Sequence, residues 1–103
     1  MILTLVRFPV GGPPLPPAER DALIAATAPR YQSIPGLRRK YFLSADAEGG
    51  GAYEWLDRAS AERWFDAAWY AQMQQRYGVR PTIEWFDAPC LVDNVVGLIV
   101  TEN

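Results

Sequence analysis

The apolar residues of this chain fall into short runs and alternations of strand length and two stretches with helical spacing. Met1 to Phe8 is an apolar run stopped by Pro9 and "GGPPLPP", so its length and its stops predict a strand rather than a helix. Ile2 and Val6 share one face of that strand and Leu3 and Leu5 the other, which predicts a central strand covered on both sides. The proline-stiffened loop from Val10 to Pro16 is a poor partner for a sheet ladder. Pro17 suits the first turn of a helix, with Glu19 and Asp21 near its positive end. Ala22, Ala25, Ala26 and Pro29 are spaced i, i+3, i+4, i+7, which predicts a small-residue stripe lying close on a sheet. Pro29 is expected to kink or end that helix.

After an "IPG" turn, Leu37 to Ser44 forms the second predicted strand, "SADAEGGG" a loop and "AYEWLD" a short aromatic strand. Asp57 is placed to cap the next helix, in which Ala61, Trp64, Phe65, Ala68 and Trp69 make a strongly amphipathic stripe. Met73 and Tyr77 continue it, with a break expected near Tyr70 and a stop at Gly78. "TIEWFD" alternates as a fourth strand, and "VVGLIV" in the tail is a candidate fifth. Strand, helix, strand, strand, helix, strand is most economically a ferredoxin-like α+β sandwich with an antiparallel sheet. Residues 1–103 are expected to form one domain, with 90–103 as a C-terminal tail. Two helices cover only one face of such a sheet. A second copy would bury the other, so a homodimer with facing sheets is predicted, its tails reaching across the interface.

Composition narrows the function classes. Half of the 103 residues are hydrophobic, which is enough to close a core. A net charge of -2 gives no reason to expect nucleic acid or an anionic membrane as partner. "MILTLV" meets Arg7 too soon for a signal-peptide core and no run reaches transmembrane length, so a cytoplasmic location is the default expectation. Cys90 is alone, and the chain contains no histidine. These two facts argue against a disulfide, a cysteine metal cluster, His-ligated haem or zinc, and an imidazole base. No acidic cluster has metal-like spacing, so neither metal nor cofactor is predicted.

Taken together, "IPGLRRKYF", "GGGAYEW" and "WFDAPCLVDN" resemble the YdhR-like monooxygenases, small members of the dimeric α+β barrel superfamily. The resemblance runs from the first strand to about Asn94. It is carried by the Pro35-Gly36-Leu37 turn, Lys40, the Gly50-Gly51-x-Tyr53 step and an aromatic before Phe86-Asp87. It implies a dimeric barrel more firmly than a reaction, because the superfamily holds cofactor-independent quinone-forming monooxygenases, haem-degrading enzymes and lactone isomerases. The lack of histidine argues against the haem-degrading branch.

Oxygenation without a cofactor needs an electron-rich substrate that can itself reduce dioxygen once deprotonated. The protein must then provide an apolar slot for a flat ring, a cation favouring the phenolate, and exclusion of water. Lys40 is the candidate cation and proton-transfer group, because burial lowers the pKa of lysine but leaves arginine charged. On an ideal strand Arg38, Lys40 and Phe42 share one face, and Arg39, Tyr41 and Leu43 the other. This strand is expected at a sheet edge, where charges also serve to prevent stray pairing. If the register sets Lys40 opposite Trp55, then Lys40, Phe42, Tyr53 and Trp55 line one cavity. A one-residue slip sets Lys40 beside Glu54 as an ordinary ion pair. The first arrangement is the expectation, with Lys40 and Tyr53 catalytic and Phe42, Trp55, Trp69 and Trp85 holding a small aromatic substrate. Trp64 is read as core, and Trp85 has the dimer core as its alternative. Gly49 to Gly51 is a hairpin connection rather than a phosphate loop, and Cys90 has no evident activation. Two other functions fit the same residues: a dimeric module that binds an apolar ligand without turnover, or an enol or lactone isomerase with Lys40 or Glu54 as base.

Overall fold

Alternating side chains along four segments build one antiparallel sheet in a computed structural model that describes residues 1–9 and 15–102. The strands are β1 (Ile2–Pro9), β2 (Leu37–Ser44), β3 (Glu48–Trp55) and β4 (Thr82–Asp87), in the order β2-β3-β1-β4. This is the ferredoxin-like arrangement, with β1 central and β2 at an edge, as the sequence predicts. The glycine run belongs to β3 rather than to the connection, and the β2–β3 loop shrinks to Ala45–Ala47, closed by the Ala45 N–H donating to the Glu48 carbonyl at 2.8 Å. Most of the proline-rich loop, residues 10–14, lies outside the described residues.

The helices follow the sequence less closely. α1 (Pro17–Thr27) has proline in its first turn, and at Ala28–Ser33 a 3-10 helix containing Pro29 takes over. The expected alanine stripe is not its packing face, because Ala22, Ala25, Ala26 and Pro29 are all exposed. Ile24 and Thr27 turn inward instead, and no residue of α1 is fully buried. The helix therefore stands off the sheet, and a cavity opens beneath it.

The second helical region breaks earlier than Tyr70. α2 (Arg58–Trp64) stops at Phe65, and α3 (Ala67–Tyr77) starts afresh behind Asp66. Two aspartate caps explain the break. Asp57 accepts from the Ser60 N–H and Asp66 from the Trp69 N–H, each at 2.8 Å, so each satisfies an otherwise unpaired amide at the start of its helix. Gly78 ends α3 in the left-handed conformation, φ 77°, its N–H donating to the Gln74 carbonyl. The core lies between these helices and the sheet: Val6, Tyr53, Trp55, Ala61, Phe65 and Trp69.

The tail is a hairpin, β5 (Cys90–Asp93) with β6 (Leu98–Thr101). Only its second strand overlaps "VVGLIV"; the first was not anticipated. Val92, Val95, Val96, Leu98 and Ile99 are exposed on it. Asp93 reaches Arg39 at 3.6 Å, and Glu102 pairs with the Met1 ammonium, which ties the hairpin to the sheet.

Candidate functional site

The register of β2 on β3 decides where the cations go. Leu37 pairs with Trp55, but the next paired residue is Arg39, opposite Glu54, so Arg38 is bulged out of the ladder. The bulge changes the face on which Arg38 lies. Rather than accompanying Lys40, Arg38 joins Arg39 on the outer face, with Nε 3.3 Å from Glu54, while Arg39 Nη1 donates to both carboxylate oxygens at 3.1 and 3.0 Å. The two arginines thus neutralise a carboxylate that is only 8% exposed, a burial it would not tolerate unpaired.

Lys40 lies opposite Tyr53, so it takes the helix-facing side together with Phe42, Tyr53 and Trp55. Neither of the two registers set out from sequence holds to the letter, but the shared face is that of the first. The Lys40 ammonium has aromatic neighbours on several sides: Nζ is 3.3 Å from the ring centre of Tyr31, 3.9 Å from Phe42 and 4.7 Å from Tyr53. No carboxylate among the described residues makes an ion pair with it. Burial pulls its pKa from the usual lysine value down to about 7. The same burial raises the phenols of Tyr31 and Tyr53, Tyr53 far above the ordinary tyrosine range, so both stay protonated near neutrality. The lysine stem needs room against the sheet, and Gly51 provides it: a Cβ there would sit 3.1 Å from Lys40 Cε.

This group lines a cavity of about 450 Å³ between α1, α3 and the sheet. Phe42, Tyr53 and Trp69 share its wall with Tyr31, Ile24, Leu23, Met73 and Val6. Phe8 stacks on Tyr77 with ring centres 3.9 Å apart and both line the cavity, while Arg20, Arg76 and Glu48 supply its charged groups. Tyr31, Lys40 and Phe42 also line a second, more open cavity of about 390 Å³ beside Arg38, Arg39 and Gln32. The amine is therefore in the partition between two spaces.

Of the six residues singled out from sequence, Lys40, Phe42, Tyr53 and Trp69 meet at this cavity and two do not. Trp55 is fully buried behind Tyr53, its ring parallel at 5.7 Å and its indole N–H donating to Thr4 Oγ1 at 2.9 Å. It shares the face, but it lies two pairs further along the ladder, under α2. Trp85, opposite Thr4 on β4, packs its ring edge-on to Phe65 and holds the Arg58 guanidinium 4.5 Å from its centre. It sits on the helix side of the sheet, away from any outer-face partner. Tyr31 is not among those six: the sequence offers its hydroxyl, but nothing local distinguishes it from an ordinary buried tyrosine. One signal was in plain view: Lys40 is the only lysine in the chain, every other strongly basic side chain being arginine.

Two indole N–H groups, of Trp64 and Trp69, are buried without a hydrogen-bond partner among the described residues. Trp69 lines the cavity, but its indole nitrogen is itself fully buried. Among the described residues no group of three or more cysteines and carboxylates is gathered as a metal site, and no helix is long and apolar enough to cross a membrane.

No family model matches the chain, and no curated protein does. Among solved structures, SnoaB, a cofactor-independent oxygenase from Streptomyces nogalater, is similar at 23% identity with a TM-score of 0.57, over 84% of this chain and 91% of that one. A variant of the same enzyme with asparagine replaced by alanine matches at 24% identity and a TM-score of 0.56, with the same coverage. At this identity the likeness establishes the fold, which this chain shares with an oxygenase that uses no cofactor.

Proposed function

We propose that the protein is a cofactor-independent monooxygenase for small, electron-rich aromatic substrates, with Lys40 favouring the phenolate that reacts with dioxygen. One observation carries the reading: a lone amine, held near neutrality by burial, at the wall of a ring-lined cavity. The fold shared with SnoaB supports it. The neutral amine accepts the phenolic or enolic proton, and the ammonium so formed stabilises the oxyanion in a site of low dielectric. The deprotonated ring passes an electron to dioxygen. For an anthrone, one oxygen atom ends as the new quinone carbonyl and the other leaves as water, so the substrate is the only reductant needed. Phe42, Tyr53 and Trp69 flank the ring.

Oxygen uptake with dihydroxynaphthalene and anthrone probes tests the reading. Stoichiometric uptake with quinone formation supports it; inertness across the panel, or equal rates under air and nitrogen, overturns it. The YdhR-like pattern at Pro35, Gly36, Lys40 and Tyr53 is a narrower resemblance consistent with the same activity.

The working form in this reading is a cytoplasmic homodimer of one-domain subunits. Leu3, Leu5 and Ala52 on the outer sheet face are half-buried beside exposed Tyr41, Leu43 and Phe86, an apolar surface that no helix covers. A second sheet would bury it, and the exposed valines and leucine of the hairpin would extend the contact. Leu5→Arg, at the centre of that face, is expected to give a folded monomer in light scattering. An unchanged dimer would move the interface elsewhere, and a monomeric wild type would remove it.

A further inference from the structure

The placement of the single lysine carries an inference of its own. Every side-chain cation paired with a carboxylate among the described residues is an arginine: Arg7 with Glu84 and Arg58 with Glu62 at the surface, Arg38 and Arg39 with the buried Glu54. Lysine appears once, half-buried at the cavity wall, with no ion-pair partner among the described residues and with a glycine beneath its stem. A merely structural cation does not call for that substitution, since arginine stacks on rings at least as well. What lysine offers and arginine does not is an amine that loses its proton and attacks a carbonyl.

We propose that Lys40 is a nucleophile that forms a reversible imine with flat aromatic aldehydes or ketones entering the larger cavity. The amine lone pair attacks the carbonyl carbon, forming the C–N bond while the carbonyl π pair moves to oxygen, which takes a proton. Nitrogen then gives up a proton, the hydroxyl departs as water, and the C=N bond closes. No electrons are gained or lost, and one water is released per imine. Tyr31 and Tyr53, protonated and lining the same space, are donors for the departing hydroxyl. Their ring faces, with that of Phe42, favour the cationic iminium as they favour the ammonium. The more open cavity behind Lys40 gives the water a polar exit past Gln32 and Arg38.

This chemistry shares the cavity with the oxygenase reading but needs neither dioxygen nor turnover, so the two stand or fall separately. The test is anaerobic incubation of the intact protein with 2-naphthaldehyde, which has no phenol to oxidise, and trapping with cyanoborohydride. The Met1 α-amine is the only other amine of the chain, and it is buried against Glu102. A single adduct is expected, mapping to Lys40, formed at near-neutral pH about tenfold or more faster than on Nα-acetyl-lysine. A dihydroxynaphthalene should slow it by competition. Its rate should level off just above pH 7, where that of free lysine is still climbing. The titratable or charged groups around Lys40 are Tyr31 from the 3-10 helix and Tyr53 from β3, with Arg38 and Arg39 of its own strand beside the more open cavity and Arg20, Glu48, Arg76 and Tyr77 elsewhere in the lining of the larger one. Lys40→Arg should keep the circular dichroism spectrum and lose the adduct. An adduct on Met1 alone, or labelling of Lys40 no faster than of acetyl-lysine, overturns the proposal. Adduct without oxygen uptake removes the oxygenase reading only, and uptake without adduct removes the imine only.

Discussion

Replacing Lys40 by Met is expected to abolish oxygen uptake and, at the same time, to make the protein more stable. The two effects have one cause. A half-buried amine with no ion-pair partner among the described residues is driven toward its neutral form, and that makes it a proton acceptor near pH 7. Methionine fills similar space with no charge to desolvate. The rate should fall by about 100-fold or more, the scale on which positioned bases and oxyanion partners act. Stability near pH 7 should rise by about 1–3 kcal/mol, the desolvation relieved being larger than the cation–ring attraction lost. The pH profile distinguishes this from simple repacking. Lys40 titrates at about 7 when folded and near 10.5 when unfolded, so between those values the unfolded chain holds more protons and stability climbs with pH. Tyr31 and Tyr53 titrate higher when folded than when unfolded, so above about pH 10 the folded chain holds more protons and stability falls. Urea melts of the wild type should therefore peak near the top of the lysine window. In Lys40→Met the climb should vanish and the alkaline fall persist. A variant that retains oxygen uptake would remove Lys40 from the chemistry.

Much of this arrangement is legible in the chain, and the parts that are not share a physical character. Periodicity places β1 at the centre and β2 at the edge, because Leu3 and Leu5 on one face and Ile2 and Val6 on the other leave β1 no polar side. Caps are local, so Asp57 and Gly78 do what their sequence context says. The bulge at Arg38 is not local. It answers to Glu54, fifteen residues on from Arg39, which must be neutralised once the outer face buries it. The same limit applies to α1: its alanines fit a close approach, but the bulky side chains of Tyr31, Met73 and Tyr77 hold the space open from other elements. Trp55 and Trp85 share a face with Lys40 yet miss the cavity, because a face is a direction and a cavity is also a position along the strand. The count of lysines needed no structure, but its meaning appears only once the surface cations are seen to be arginines.

Two neighbouring glycines of β3 should respond to alanine in opposite ways, and the contrast tests how the site is built. Gly50 points to the outer face, where β1 passes so close that a Cβ would lie 1.8 Å from the Val6 carbonyl oxygen, with φ +157°. A backbone atom of the central strand cannot yield without opening the β1–β3 ladder. Gly50→Ala is therefore expected to destabilise by about 3 kcal/mol or more, a large share of the stability of a small domain. Gly51 points inward, and there the added methyl meets Lys40 Cε and Tyr53 Cε1, each at 3.1 Å, as well as the Tyr41 carbonyl oxygen at 3.2 Å. The end of a lysine stem can move by the few tenths of an ångström required, so Gly51→Ala should fold, with a loss of about 1 kcal/mol. Moving the stem shifts the amine from its place among Tyr31, Phe42 and Tyr53, and a displacement of that size is felt in a positioned reaction. Oxygen uptake in Gly51→Ala should drop by about tenfold while its circular dichroism spectrum matches the wild type. The reverse pattern, a Gly50→Ala as stable as the wild type or an unfolded Gly51→Ala, would mean that β3 carries its glycines for a different reason and that the lysine stem is not resting on Gly51.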